Sequence, residues 1–337
     1  MSTKTIVNPE STFKGFLSKN FVAVFMVAVM MFFGFLNKNF YSFNNIINLF
    51  SQMCINALLA SGLCYVIIIG GIDISVGSTI AVSAVTAAKV CVTFFPTVGD
   101  LGALALLIGV SLVIGLLVGA IIGFVVAYIN VVPMIATLSF MTVLRGLAYI
   151  ITGGGSISGL PSSMGILGSK RLIVTESYQR GILPTVVIFT FLVVLLMHLL
   201  LTKTVFGRQV FAVGSNARVA HLAGINVKKI KFLCHVLCSV TAALAGAVIC
   251  SKLQNGQPAA GEGYEMYAIA SVVLGGTSLS GGSGSVARAM FGVAIIASIN
   301  NGMNLVGISA YWQKIVIGII ILMGVSFDIL QKKRADN

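Results

Sequence analysis

The sequence predicts an all-α, polytopic membrane protein of about ten spans (eight to ten), with both termini in the cytoplasm and with helices broken at glycine-rich segments. Three observations support this class. Only 9% of the 337 residues are charged and 58% are hydrophobic, whereas an ordinary soluble domain has about 25% charged residues. Apolar runs of about 20 residues, long enough to cross a bilayer as helices, recur along the whole chain. Helices are expected because lipid leaves unpaired backbone groups without hydrogen-bond partners.

One transmembrane domain over residues 21–330 contains ten candidate spans. They cover residues 21–36, 50–70, 76–95, 101–128, 133–152, 183–201, 232–251, 265–279, 286–304 and 312–330. Residues 1–20 and 331–337 are then a cytoplasmic N-terminal segment and a cytoplasmic tail. The first span resembles a signal peptide, but no small-x-small cleavage site follows it, so we expect it to be retained.

The distribution of basic residues predicts the orientation. An even number of spans puts both termini on one side, and the side richer in lysine and arginine is the cytoplasm. With the N-terminus inside, thirteen basic residues lie in inside segments and six in outside segments. Most of this bias comes from the loop 202–230 and from Lys332-Lys333-Arg334. The loop 153–182, which begins with three glycines, is predicted to be an irregular external segment. The net charge of +13 therefore indicates orientation, and no nucleic-acid partner is expected.

Catalytic and metal-binding constellations are not expected. The six cysteines lie in or beside apolar runs, where cysteine usually acts as a small buried hydrophobe. Cys234-His235 with Cys238 lacks further ligands for a metal site. The three histidines, His198, His221 and His235, have no carboxylate or cysteine partner at a recognisable spacing and are expected at membrane boundaries or in the cytoplasmic loop. The dipeptide Gly-Lys does not occur, which excludes a Walker-type phosphate loop. A transport protein without a cofactor is predicted, rather than an enzyme.

Two glycine-rich segments, residues 70–78 and 275–283, share the pattern Gly-Gly-x-x-aliphatic-Ser-x-Gly-Ser. Glycine-interrupted segments in both halves of a transporter indicate its pathway, because a broken helix frees backbone groups that are tolerated only beside protein or a water-filled cavity. In the alternative interpretation each segment is a tight cytoplasmic turn, with Asp73 or Ser75 capping the next helix. The sequence leaves both interpretations open.

Polar and small residues around these segments are the candidate lining of a translocation pathway. A charge at the centre of a bilayer costs about 3 kcal/mol, so Asp73 is expected to face the pathway or to order the glycine loop. The amides at the end of the span 286–304 either bind hydroxyl groups of a solute or end the helix. The predicted pathway residues are Gly71, Asp73, Ser75, Gly77, Thr277, Ser278, Asn300 and Asn304.

Two further features within spans predict helix packing. Arg145 lies about a dozen residues into the span 133–152 and requires a polar partner, which the sequence does not identify. Gly115, Gly119 and Gly123 form two overlapping small-xxx-small steps on one helix face, a pattern that favours close helix contact.

Taken together, these residues resemble the ribose-type sugar permeases of bacterial ABC importers. The segment Gly71-Ile72-Asp73-Ile74-Ser75-Val76-Gly77-Ser78 is similar to the family signature Gly-Ile-Asp-Leu-Ser-Val-Gly-Ser. Residues 207–226, 270–282 and 300–305 are similar to further family motifs in the same order. The resemblance runs from about Phe40 to the C-terminus.

The resemblance implies a permease subunit in the bacterial inner membrane that carries a monosaccharide such as ribose or a related pentose or hexose. It implies four partners: an ABC ATPase subunit, a periplasmic or lipid-anchored sugar-binding protein, a second copy of the permease, and membrane lipid. A short helix over about Asn216–Gly224 would dock on the ATPase through Asn216, Arg218, His221 and Gly224. The family's Arg-Leu-Ser-Gly-Ile is replaced here by His221-Leu222-Ala223-Gly224-Ile225, which alters the expected docking contacts.

Other transport classes fit less well. A secondary, ion-coupled transporter needs titratable carboxylates within the membrane, and Asp73 is nearly the only candidate. A channel would need charged rings or filter-like repeats. An ABC permease for a nucleoside or another small polar solute remains open from sequence.

Overall fold

The computed structural model describes residues 21–173 and 181–336, and these residues are mainly helical. The helices are α1 (Phe21–Leu36), α2 (Phe43–Ile68), α3 (Val76–Ala127), α4 (Pro133–Thr152), α5 (Gly165–Gly168), α6 (Thr185–Lys203), α7 (Val205–Ser215), α8 (Ala217–Leu222), α9 (Val227–Leu253), α10 (Tyr264–Leu274), α11 (Val286–Val306) and α12 (Ala310–Asp336). Two-residue strands β1 (Arg171–Leu172) and β2 (Leu183–Pro184) pair antiparallel, with Arg171 opposite Pro184.

The helices confirm a polytopic helical protein, and the number of crossings stays a prediction. Within the described residues, seven helical segments are long and apolar enough to cross a membrane, and three shorter apolar helices accompany them. Helix α3 supplies two of the seven, Val76–Phe94 and Gly102–Ala127, because its backbone is broken at Gly99 with a φ of 66°. The shorter helices are Val22–Leu36, Tyr264–Leu274 and Ala310–Gly324. Residues 1–20 of the predicted N-terminal segment lie outside the described residues.

One predicted span boundary differs from the structure. The candidate span 265–279 is helical only over Tyr264–Leu274, because the turn at Gly275-Gly276, where Gly276 has a φ of 79°, ends the helix. The predicted cytoplasmic tail 331–337 is helical as far as Asp336, and its side of the membrane stays a prediction.

Local signals explain where most helices begin and end. Five helices begin with a capping side chain that accepts a hydrogen bond from an N–H group of the first turn. The capping residues are Ser42 for α2, Thr204 for α7, Asn216 for α8, Asn226 for α9 and Ser285 for α11. Such caps satisfy backbone donors that have no partner within the helix. Pro133 opens α4, and Gly153 ends it in the left-handed conformation with a φ of 65°, the usual helix stop.

The core forms where α9 packs against α2 and both halves of α3. A Cβ atom at Gly115 would lie 2.7 Å from the Cα atom of Val240, and one at Gly119 would lie 2.6 Å from that of Val236. Only glycine allows this approach, so the predicted small-xxx-small contact is confirmed, with α9 as its partner. All six cysteines are buried and free, as predicted for small buried hydrophobes. Helices α1, α10, α11 and α12 contribute a second hydrophobic cluster, around Phe33 and Ile296.

Candidate functional site

The first glycine-rich segment forms a turn between α2 and α3. Gly70 has a φ of 78°, and the N–H of Gly71 donates to the carbonyl oxygen of Val66 at 2.9 Å. The Oδ1 atom of Asp73 accepts from the N–H of Ser75 at 2.9 Å and from its hydroxyl at 2.6 Å. Asp73 therefore orders the turn that leads into α3, although no side chain caps the first turn of the helix itself. Which of the two interpretations of the segment applies stays a prediction.

The other carboxylate oxygen of Asp73 contacts His235 of α9. The His235 Nδ1 atom lies 3.4 Å from Asp73 Oδ2, and both side chains are fully buried. No recognisable sequence spacing links His235 to a carboxylate, as expected, but helix packing brings it to Asp73 across 162 positions. Its predicted place at a membrane boundary stays a prediction. His221 is exposed in α8, within the predicted loop.

The second glycine-rich segment packs against the end of α2 and the end of α7. The N–H of Gly282 donates to the carbonyl oxygen of Ile68 at 2.8 Å. A Cβ atom at Gly214 would overlap the same carbonyl oxygen, and one at Gly281 would lie 2.9 Å from the oxygen of Gly214. We call this meeting of Ile68–Gly70, Gly214–Ser215 and Ser280–Gly282 the glycine junction. Both glycine-rich segments and the loop 202–230 therefore meet at one end of the helices.

Three of the predicted pathway residues are buried by neighbouring segments, namely Thr277, Ser278 and Gly77. The Thr277 hydroxyl lies 3.7 Å from the Cys64 sulfur, and the N–H of Ser278 donates to the carbonyl oxygen of Ser283 at 3.1 Å. A Cβ atom at Gly77 would lie 2.5 Å from the carbonyl oxygen of Gly261, so the first turn of α3 rests on the segment that precedes α10.

The loop between α6 and α9 carries an exposed short helix. The Asn216 side chain caps α8 by accepting from the N–H groups of Arg218 and Val219, each at 3.0 Å. Gly224, with a φ of 81°, follows the helix. Val219 is 59% exposed and Leu222 is 81% exposed. These two exposed apolar side chains lie beside the exposed Arg218 and His221, a combination suited to contact with another protein.

A cavity of about 240 Å³ lies toward the other end of the helices. Five helices supply its lining: Gln52, Ile55 and Asn56 from α2, Lys252 from α9, Tyr264 and Tyr267 from α10, Ile296, Ala297 and Asn300 from α11, and Gln313 from α12. Asn56 and Ile68 are twelve residues apart on α2, which at 1.5 Å per residue is about 18 Å. The cavity and the glycine junction are thus separate regions joined by α2, α10 and α11.

The cavity lies beside the segment that follows α4. The N–H of Gly168 donates to the Ser251 hydroxyl at 2.7 Å, and the Ser169 hydroxyl donates to the carbonyl oxygen of Lys252 at 3.4 Å. Residues of the predicted external loop 153–182 therefore pack at the cavity end, whereas the predicted cytoplasmic loop packs at the junction end.

Arg145 holds the irregular segment that leads into α10. One guanidinium nitrogen donates to the carbonyl oxygens of Pro258 at 2.7 Å and of Ala260 at 2.9 Å. These are the polar partners that the sequence required but did not identify. Because α10 has only eleven residues and begins with the cavity residue Tyr264, the chain presents a short, interrupted helix to the cavity, as transporters do at their binding sites.

The structure brings two of the eight predicted pathway residues to the cavity. Asn300 lines it, and the Asn304 side-chain oxygen accepts from the lining residue Gln313 at 2.7 Å. The helix continues to Val306 and stops at Gly307, so the amide cluster does not end it. The other six residues lie in the two glycine-rich segments and at the start of α3, and their place along a pathway stays a prediction.

Sequence reasoning missed most of the cavity lining. Gln52 and Asn56 are four residues apart and so share a helix face, a signal that could have been noticed in an apolar span. Tyr264 and Tyr267 are likewise three apart at the start of a short span, and their rings pack edge to face with centroids 5.9 Å apart. No sequence pattern connects these residues to Lys252 or Gln313.

Comparisons with known proteins assign the family. A family model described as branched-chain amino acid transport system / permease component matches residues 45–325. The chain is 40% identical over 315 residues to the ribose import permease protein of Bacillus subtilis (strain 168), covering 94% of this chain and 92% of the relative. It is 36% identical over 330 residues to the ribose import permease protein of Escherichia coli (strain K12), covering 97% and 99%. The xylose transport system permease protein of Escherichia coli (strain K12) is 34% identical over 391 residues, with 98% of both chains covered.

No solved structure matches the chain. The resemblance inferred from the sequence motifs is confirmed by these relatives, which match nearly the whole chain. The chain therefore belongs to this family of transport permeases, and it is a multi-pass membrane transport protein rather than an enzyme.

Proposed function

We propose that this chain is the membrane-spanning permease subunit of an ABC importer for a monosaccharide, ribose or a related pentose or hexose, in the bacterial inner membrane. The observation that carries the proposal is similarity to ribose import permeases over nearly the full length of both proteins. The similarity therefore includes the cavity, the glycine junction and the exposed loop helix together.

The cavity supports a small, hydroxyl-rich cargo. Seven of its ten lining residues carry polar side chains, which suits a sugar better than the aliphatic side chain of a branched-chain amino acid. Its volume of about 240 Å³ is below the roughly 300–1,000 Å³ of sites for drug-sized ligands. A single-ring solute therefore fits the cavity.

The energy source would be a separate ABC ATPase subunit. The sequence contains no Walker-type phosphate loop, whereas α8 presents Val219, Leu222 and Arg218 at the surface. We assign α8, with Asn216 and His221 at its ends and Gly224 after it, as the surface that docks on the ATPase. A periplasmic or lipid-anchored sugar-binding protein would meet the cavity end, beside the loop 153–182. A second permease copy would complete the pathway within the lipid.

The glycine junction gives the proposed coupling a physical route. The end of α7 contacts the carbonyl end of α2 and the segment between α10 and α11 with no side chains between them. A displacement of α8 on ATP binding would therefore act directly on α2, α10 and α11. Those three helices supply eight of the ten cavity-lining residues, so movement at the junction changes the cavity.

Co-purification with the ATPase subunit tests the proposal. The tagged chain is expected to recover an ABC ATPase, and Leu222→Glu is expected to abolish recovery because it places a charge in an apolar contact. Leu172→Glu, the same change at an exposed position of β1, is the matched control and should leave recovery intact. Failure to recover any ATPase, with sugar uptake collapsing when the proton gradient is dissipated, would indicate a secondary transporter instead. A nucleoside that outcompetes pentoses and hexoses in uptake would reassign the cargo.

A further inference from the structure

Asn56 lines the cavity, and its side chain carries a hydrogen-bond acceptor without a partner among the described residues. Its side-chain nitrogen lies 2.8 Å from the Ser271 hydroxyl oxygen, and that hydroxyl donates to the carbonyl oxygen of Tyr267 at 2.8 Å. Because the one hydroxyl hydrogen of Ser271 is already used, Ser271 must accept from Asn56, which orients the NH₂ group toward Ser271. The Asn56 Oδ1 atom is left buried, and the described residues give it no hydrogen-bond partner.

Asn300 of α11 carries a second such acceptor. It lines the same cavity as Asn56, and its Oδ1 atom is also buried without a partner in the described part of the chain. Its neighbour Asn301 shows the contrast, since both side-chain amide groups of Asn301 and Asn45 pair with each other, at 2.8 and 3.0 Å. A buried polar atom without a partner is unfavourable, so two such atoms on residues that line one cavity favour a site where an incoming solute supplies donors.

We infer that Asn56 and Asn300 form a transient binding site for a neutral polyhydroxylated solute, with both amide oxygens accepting hydrogen bonds from its hydroxyl groups. This inference rests on the proposed function and deepens it, because it names the residues that contact the cargo between delivery and release. The edge-to-face pair Tyr264 and Tyr267 supplies ring surface against the sugar carbons. Lys252 and Gln52 line the same cavity and supply donors for hydroxyl oxygens.

The chemistry of the two acceptors selects the solute class. Each sugar hydroxyl can donate to an amide oxygen and accept from a neighbouring donor, so one ring can satisfy both asparagines. An aliphatic amino acid could donate from its ammonium group, but it would bury its alkyl side chain against amide and hydroxyl groups, which is unfavourable for those polar groups. Few hydrogen bonds hold the solute, so the site releases it readily, as a permease that passes its cargo onward requires.

Saturation-transfer difference NMR of the full-length permease in lipid nanodiscs, without ATPase or binding protein, tests the inference directly. Ribose is the probe, and leucine and 2-deoxyribose are compared with it. We expect a ribose signal, a weaker signal for 2-deoxyribose and none for leucine. Asn56→Leu and Asn300→Leu should each weaken ribose binding about threefold to tenfold, the net effect of one neutral hydrogen bond.

Asn44→Leu, the same change at an exposed position of α2, is the control for substitution, and thermal melting of each variant confirms its folding. If folded Asn56→Leu and Asn300→Leu bind ribose as the wild type does, or if the wild type gives no ribose signal, the inference is wrong. Either result would refute this binding site without affecting ATP-dependent uptake by the assembled importer. The proposed function is tested separately, by the co-purification and uptake experiments. A leucine signal as strong as that of ribose would also overturn the inference.

Discussion

Replacing Asp73 with alanine should leave membrane insertion intact, lower the stability of the folded protein and abolish uptake. The substitution removes the acceptor of three donors, namely the Ser75 N–H, the Ser75 hydroxyl and His235 Nδ1. A carboxylate only accepts hydrogen bonds, so His235 Nδ1 is a donor in this pair. All of these groups are buried, and water does not replace the lost acceptor.

The expected magnitude follows from the number of stranded donors. The Ser75 hydroxyl can rotate toward another acceptor, whereas the Ser75 N–H and the His235 Nδ1–H cannot. An unsatisfied buried group costs about 1–3 kcal/mol, so Asp73→Ala should lower the free energy of unfolding by about 2–6 kcal/mol. Asp73→Asn retains one acceptor oxygen and should lose about half as much.

Thermal melting of purified protein in nanodiscs, together with sugar uptake in cells, measures both effects. Ser61→Ala is the control, because Ser61 is equally buried but, among the residues that the structure describes, its hydroxyl bonds only to the Leu58 carbonyl of its own helix, at 2.7 Å. Removing that hydroxyl strands no donor, so its melting temperature should change little. If Asp73→Ala has the same melting temperature as Ser61→Ala and supports normal uptake, the assigned role of Asp73 is refuted.

Three further predictions follow from the same contacts. Gly214→Ala should uncouple ATP hydrolysis from sugar uptake because its Cβ atom would overlap an α2 carbonyl. Gly146→Ala, at a position with open space around it, is the control and should not change coupling. Equal ratios of transport to ATP hydrolysis in the two variants would contradict this. Arg145→Met should destabilise the protein by about 3 kcal/mol in melting experiments, since two charge-assisted hydrogen bonds are lost, and an unchanged melting temperature would count against the role of Arg145. Because all six native cysteines are buried, an impermeant maleimide should label Leu222→Cys only in inside-out vesicles and Ser156→Cys only in intact cells; the reverse pattern would overturn the predicted orientation.

Features with a local cause could be predicted from the sequence. The helix at 133–152 was placed correctly because Pro133 and Gly153 mark its two ends, and the glycine steps of α3 predicted close packing because their spacing defines a helix face. The end of α10 was misplaced because hydropathy continues through Val273 and Leu274, whereas the backbone turns at Gly275-Gly276.

Features that depend on tertiary packing could not be predicted. The contact between Asp73 and His235 joins residues 162 positions apart, and no spacing rule covers such a distance. The cavity draws on five helices, so only their packing shows that Asn56 and Asn300 face one space. Asn300 was selected as a single polar residue, and its partner on α2 was not. The glycine-rich segments were recognised as special, but their contact with Gly214 required the structure.

Sugar accumulation in proteoliposomes tests the central claim most directly. The permease is reconstituted with its ATPase and sugar-binding protein, and labelled ribose inside the vesicles is measured with and without ATP and a proton uncoupler. Our account predicts accumulation that requires ATP, persists with the uncoupler and is lost with Leu222→Glu. Accumulation by the permease alone, driven by a proton or sodium gradient and independent of ATP, would contradict it.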